Sequence, residues 1–94
     1  MDFLHAEFQG GERHLAVVSL TGPANVMLLD DVSFAAYVEG RPFRYHGGWA
    51  SGSPVRLRPP RYGTWHVVVD LGGGSGTVRA SVHVVRTDPQ LSLL

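Results

Sequence analysis

The chain has 94 residues, no cysteine, and eight arginines that cancel eight acidic residues. That length fits one domain around one core, and the lack of thiols excludes a disulfide scaffold, a thiolate metal centre and a cysteine nucleophile. No apolar run approaches the roughly 18–20 residues of a membrane helix, and Met1-Asp2-Phe3-Leu4-His5 has neither the basic nor the apolar region of a secretion signal, so a cytoplasmic protein without membrane association is expected.

Glycine and proline recur at short intervals, with valine- and leucine-rich runs between them, the pattern of many short strands. Residues 4–8 read as a first strand. Residues 14–20 and 24–30 read as a hairpin turning at Thr21-Gly22-Pro23. Their runs, Leu15-Ala16-Val17-Val18 and Val26-Met27-Leu28-Leu29, are apolar on both faces, as in strands covered from both sides or at an oligomer contact. Residues 31–39 predict a short helix. Asp30 or Asp31 caps its amide end, Gly40 closes the other, and Phe34, Tyr37 and Val38 share one face at i, i+3, i+4. Residues 53–58 form a short strand with Val55 and Leu57 inward and Arg56 and Arg58 outward, and Pro59-Pro60 ends it.

The clearest period-2 pattern lies near the C-terminus. Trp65, Val67 and Val69 alternate with His66, Val68 and Asp70, and Val78, Ala80, Val82 and Val84 alternate with Arg79, Ser81 and His83. A hairpin across Leu71-Gly72-Gly73-Gly74-Ser75-Gly76 sets Trp65 opposite Val82, Val67 opposite Ala80 and Val69 opposite Val78, so that both apolar sets share one buried face. Histidine and arginine then look outward. The expected fold is all-β: a small antiparallel β-sandwich, barrel or prism-like domain over residues 1–86, with one short helix around residues 31–39 and a flexible tail over residues 87–94.

The charges are unevenly placed. Residues 1–39 hold one arginine against six acids, and residues 40–94 hold seven arginines against two. This suits an anion-binding half, internal pairing or head-to-tail self-association. Within residues 41–62, Arg41, Arg44, Arg56, Arg58 and Arg61 interleave with Phe43, Tyr45, Trp49 and Tyr62, with His46 among them and no acid. Guanidinium forks and aromatic faces together suit phosphate, an acidic partner or single-stranded nucleic acid. The bland alternative is a loop whose aromatics pack on the core and whose arginines are solvated. The chain lacks lysine, and a GC-rich genome would produce that bias without any demand for phosphate binding.

Other chemistry finds less support. His66, Asp70 and His83 share a predicted outer face without converging, so no metal and no cofactor are expected. There is no GxSxG elbow, Asp30 and Asp31 suit helix capping, and the glycine run lacks the lysine and following helix of a phosphate loop. No catalytic residue is nominated and no enzyme is expected.

Several strings resemble a small bacterial family known as domain of unknown function 1883. They are Phe3-Leu4-His5, Ala24-Asn25-Val26 with Leu28 and Asp30, Phe34, Tyr37, Gly40, Tyr45, Gly47-Gly48, Ser53-Pro54-Val55-Arg56-Leu57, Trp65-His66-Val67-Val68-Val69-Asp70-Leu71-Gly72-Gly73 and Val78-Arg79-Ala80-Ser81-Val82. The resemblance spans roughly residues 1–86 and implies a mainly β bacterial domain, joined in some relatives to a TIR-like signalling domain. It carries no established activity and no catalytic residue. The expected function is therefore a non-catalytic sensing or assembly module. It binds an unknown protein or a small anionic ligand through Arg44, Tyr45, Trp49, Arg56 and Arg58, with Arg56 and Arg58 reaching one anionic group. Homo-oligomer formation is a further option, and nucleic acid binding by the same segment is the alternative, ranked lower because overall neutrality offers little counterion release.

Overall fold

The computed structural model describes residues 2–74 and 76–87. The tail expected over residues 87–94 lies outside them apart from Thr87. The elements in chain order are β1 (Leu4–Gly10), β2 (His14–Leu20), β3 (Ala24–Asp30), α1 (Asp31–Glu39), β4 (His46–Ala50), β5 (Val55–Leu57), β6 (Gly63–Asp70) and β7 (Ala80–Arg86). They form two antiparallel sheets, one of four strands in the order β1-β6-β3-β4 and one of three in the order β5-β2-β7. The fold is thus an all-β sandwich with one short helix, and neither sheet closes into a barrel.

Alternation along the strands creates the core between the sheets. Ala16 and Val18 of β2 and Leu57 of β5 face Ala24, Val26 and Leu28 of β3 and Trp65, Val67 and Val69 of β6. The other face of the four-stranded sheet is covered as well. There Met27, Leu29, Val68 and Tyr37 form a second buried cluster, flanked by Phe3, Phe34 and Phe43. Strands β3 and β6 are therefore buried on both sides, which explains the unbroken apolar run of β3.

The helix follows the capping rules. Asp30 Oδ1 accepts the Ser33 N–H at 2.8 Å, and Gly40 closes the helix in the left-handed region at φ 74°. Its inward face differs from the expected one. Ser33, Ala36 and Tyr37 are buried, whereas Val38 is 56% exposed. In so short a helix six of the nine positions are apolar and they fall all around it, so the pattern leaves the seating angle open and the sheet beneath decides it.

Both expected hairpins need correction. The strand bounds 14–20 and 24–30 stand, but β2 and β3 belong to different sheets, as do β6 and β7. β6 pairs with β1 and β3, setting Trp65 opposite Phe8 and Asp30. β7 pairs with β2, setting Val82 opposite Val18. Val78, Ala80 and Val82 still pack against the core cluster that holds Trp65, Val67 and Val69, but across the layers. A shared apolar face specifies contact, and a hairpin and a crossing loop satisfy it equally. Because α1 covers the outer side of β6, His66 and Asp70 are buried too, at 5% and 6% exposure; neither looks out to solvent.

Strand β4 lies within residues 41–62, where the sequence marks no strand before residue 53. Its Gly47 adopts φ 111°, and a Cβ there would collide with the Val26 carbonyl oxygen. Gly48, at φ 143°, has nothing within 4 Å of such an atom. Gly47→Ala is expected to loosen β4 from β3 and cost about 2 kcal/mol or more, and Gly48→Ala about 1 kcal/mol. Urea denaturation of the two variants checks the difference. Among the described residues no helix is long and apolar enough to cross a membrane.

Candidate functional site

The turn from β3 into α1, the loop before β4 and the loop before β6 enclose a cleft of about 710 Å³. Leu28 and Trp65 reach it from the core, and Asp30, Arg44, Tyr45 and Arg61 line it from the loops. Arg61 is held from several sides. Its Nη2 donates to Asp30 Oδ2 at 3.0 Å, its guanidinium lies 5.0 Å from the centre of the Trp65 ring, and its carbonyl accepts the Trp65 Nε1–H at 3.0 Å. Asp30 has two tasks, capping the helix with one oxygen and steering Arg61 with the other. The Ser33 backbone N–H, with help from Arg61, holds its carboxyl below the usual carboxylate range against the opposing effect of burial. Arg44 is anchored by its backbone, whose N–H donates to Ser33 Oγ at 3.3 Å. Its guanidinium is exposed and makes no hydrogen bond among the described residues.

The five residues favoured from sequence fall in three places. Arg44 and Tyr45 line the cleft together with Arg61. Trp49 stands on β4, opposite Asn25 and 60% exposed, outside the cleft lining. Arg56 and Arg58 lie at β5, on the edge of the other sheet. Arg58 Nη1 donates to the Glu12 carbonyl at 2.7 Å and to Thr87 Oγ1 at 2.8 Å, which ties the end of β5 to two neighbouring segments. Arg61 had no distinguishing signal in sequence, because its position depends on Asp30 and Trp65 meeting through the β3–β6 pairing.

A second cluster lies where α1 crosses β1 and β6. His5 and Glu7 alternate onto one face of β1, and Glu7 pairs directly with His66 on β6. His5 Nε2 and His66 Nδ1 are 2.8 Å apart. His66 Nε2 is 2.5 Å from Asp31 Oδ1 in the first turn of α1. The Phe34 ring stacks on both imidazoles, with centroids 4.2 Å from His5 and 4.4 Å from His66. Burial, reinforced by neighbouring His66, lowers the pKa of His5, and Glu7 opposes the shift. His83, considered from sequence beside His66, is on β7 in the other sheet.

A third network is structural. Asp70 accepts from Tyr37 Oη at 2.6 Å, Asn25 Nδ2 at 2.9 Å and the Gly72 N–H at 2.9 Å. It joins α1, β3 and the start of the glycine loop.

The family model for Domain of unknown function (DUF1883) matches residues 1–88. The chain belongs to the DUF1883 family. No curated protein and no solved structure matches it. The matched span of this DUF1883 domain includes every strand, the helix, the cleft and the histidine cluster.

Proposed function

We propose that this DUF1883 domain is a non-catalytic cytoplasmic recognition module whose cleft receives an anionic group, the carboxylate or phosphate of a small ligand or of an acidic partner segment. One observation carries the reading: Arg61 is fixed over Trp65 while Arg44, with an uncommitted guanidinium, lines the same cleft. Two guanidinium groups against the single carboxylate of Asp30 leave the cleft cationic. A preoriented fork binds an oxyanion with little loss of side-chain freedom. Tyr45, 49% exposed at the same cleft, offers an aromatic face to the rest of the ligand. A second copy is one acidic partner that fits, since residues 1–39 carry six of the eight acids. Single-stranded nucleic acid ranks behind, because the net charge is zero and Arg56 and Arg58 lie away from the cleft.

Titration of isotope-labelled protein with inorganic phosphate and with a glutamate-rich peptide tests this by NMR. Shifts are expected at the side-chain N–H groups of Arg44, Arg61 and Trp65. Arg44→Ala is expected to weaken binding about tenfold, the loss of one charge-assisted hydrogen bond, at an unchanged thermal midpoint. Binding that leaves those signals unmoved, or that survives Arg44→Ala intact, argues for a different surface.

A further inference from the structure

We propose that His5, Glu7 and His66 form a binding site for a divalent transition metal of the zinc class, with Asp31 orienting the buried histidine from behind. One ligand atom from each of the three residues already lies within 4.8 Å of the other two. The set comes from strand geometry: two side chains two positions apart on β1, and a third directly across the ladder on β6. His66, 5% exposed, is the fixed member, and His5 and Glu7 approach it from the exposed edge strand.

The hydrogen bonds fix the chemistry of each nitrogen. Asp31, as a carboxylate, accepts the proton on His66 Nε2, which leaves His66 Nδ1 with a free electron pair directed at His5 Nε2. A carboxylate behind an imidazole in this way sets the tautomer and strengthens the ligating nitrogen. His5 Nδ1 makes no hydrogen bond among the described residues, so His5 can carry its proton there and turn its own Nε2 pair inward. This tautomer change takes up no net proton. The metal then occupies the position of the hydrogen now shared between the rings. Tetrahedral bonds of about 2.0–2.1 Å hold two nitrogens roughly 3.3 Å apart, so the pair opens by about half an ångström from 2.8 Å, a small rotation of exposed His5. Glu7 Oε1, 3.9 Å from His66 Nδ1 on a side chain that is 58% exposed, swings in as the third ligand. Phe34 closes the face over both rings, and solvent supplies the fourth position. Two imidazoles with one carboxylate favour zinc, cobalt or nickel over magnesium or calcium, which prefer all-oxygen sets.

The experiment is calorimetric titration of the chelator-stripped full chain with Zn²⁺ alone, with Co²⁺ as a spectroscopic probe. Binding of one ion per chain is expected, with a four-coordinate Co²⁺ visible spectrum and a thermal midpoint raised by Zn²⁺ and restored by chelator. His5→Gln and Glu7→Gln, both at exposed positions, are each expected to weaken binding about tenfold or more while the apo protein stays folded. Asp31→Asn, which keeps every ligand, is expected to weaken it by about 10–100-fold. No binding at millimolar Zn²⁺, or an affinity unchanged by His5→Gln or by Glu7→Gln, overturns the site.

Discussion

Trp65→Ala is expected to lower the unfolding free energy by about 3–5 kcal/mol, the range for removing a buried large aromatic. Trp65 is 2% exposed between the sheets, where it packs with the buried alanines, valines and leucines of β2, β3 and β5. Domains of this size hold only about 5–15 kcal/mol in total, so the variant sits near unfolding at ambient temperature. Urea denaturation followed by circular dichroism measures the loss. Trp65→Phe keeps most of the ring and loses the bond to the Arg61 carbonyl, and about 1 kcal/mol is expected. Trp65 also lies beneath the Arg61 guanidinium, so the alanine variant that remains folded should bind anions more weakly. A loss of unfolding free energy below about 1 kcal/mol for Trp65→Ala would contradict the packing described.

Asp70→Ala is expected to cost about 2–4 kcal/mol, because it strands the buried Tyr37 hydroxyl and the half-buried Asn25 amide and releases the Gly72 N–H to solvent. Tyr37 Oη, Asn25 Nδ2 and the Gly72 N–H all end on its two oxygens. Tyr37→Phe removes one donor, leaves the carboxylate two, and should cost less. The same network sets an acid limit. Burial pushes the Asp70 carboxyl up, and the hydrogen bonds from Tyr37, Asn25 and Gly72 outweigh it, leaving the group below its ordinary value. The partnered phenol moves the other way, raised by burial and by Asp70. Asp30 is lowered as well. For a depressed carboxyl the unfolded chain binds protons first, so the stabilisation is complete above about pH 4 and is lost as pH falls through the folded-state value. Thermal midpoints taken from neutral to acid pH should fall below about pH 4 in the wild type and fall less steeply in Asp70→Asn.

Local patterns in the sequence carried the elements, and distant pairings carried the site. Unbroken apolar runs marked β2 and β3, period-2 alternation marked β6 and β7, and Asp30 or Asp31 with Gly40 marked the two ends of α1. Strand β4 was hidden, since His46-Gly47-Gly48-Trp49-Ala50 holds no β-branched residue and its two glycines adopt positive φ. Sheet membership was hidden for a different reason. An apolar face at Trp65, Val67 and Val69 needs a partner, and nothing local distinguishes a neighbour in the ladder from one across the core. The meeting of His5 and His66 spans 61 residues of sequence and follows only once β1 is known to pair with β6. Arg44 and Tyr45 were legible as an arginine–aromatic pair; Arg61 joined them through Asp30 and Trp65, which come together in the β3–β6 ladder.

Of the strand-to-strand connections among the described residues, only the one from β3 to β4, which carries the helix, stays within its own sheet. The chain is therefore laced through the sandwich like thread through two pieces of cloth. β3 and β4 can pair early, across the helix, but β1 must wait for β6, and β2 for β5 and β7, so each sheet is completed only once its late strands have been made. Such a topology folds slowly, since most loop closure precedes any reward. It also resists being taken apart: cutting one loop leaves two interwoven fragments, each supplying rungs to the other.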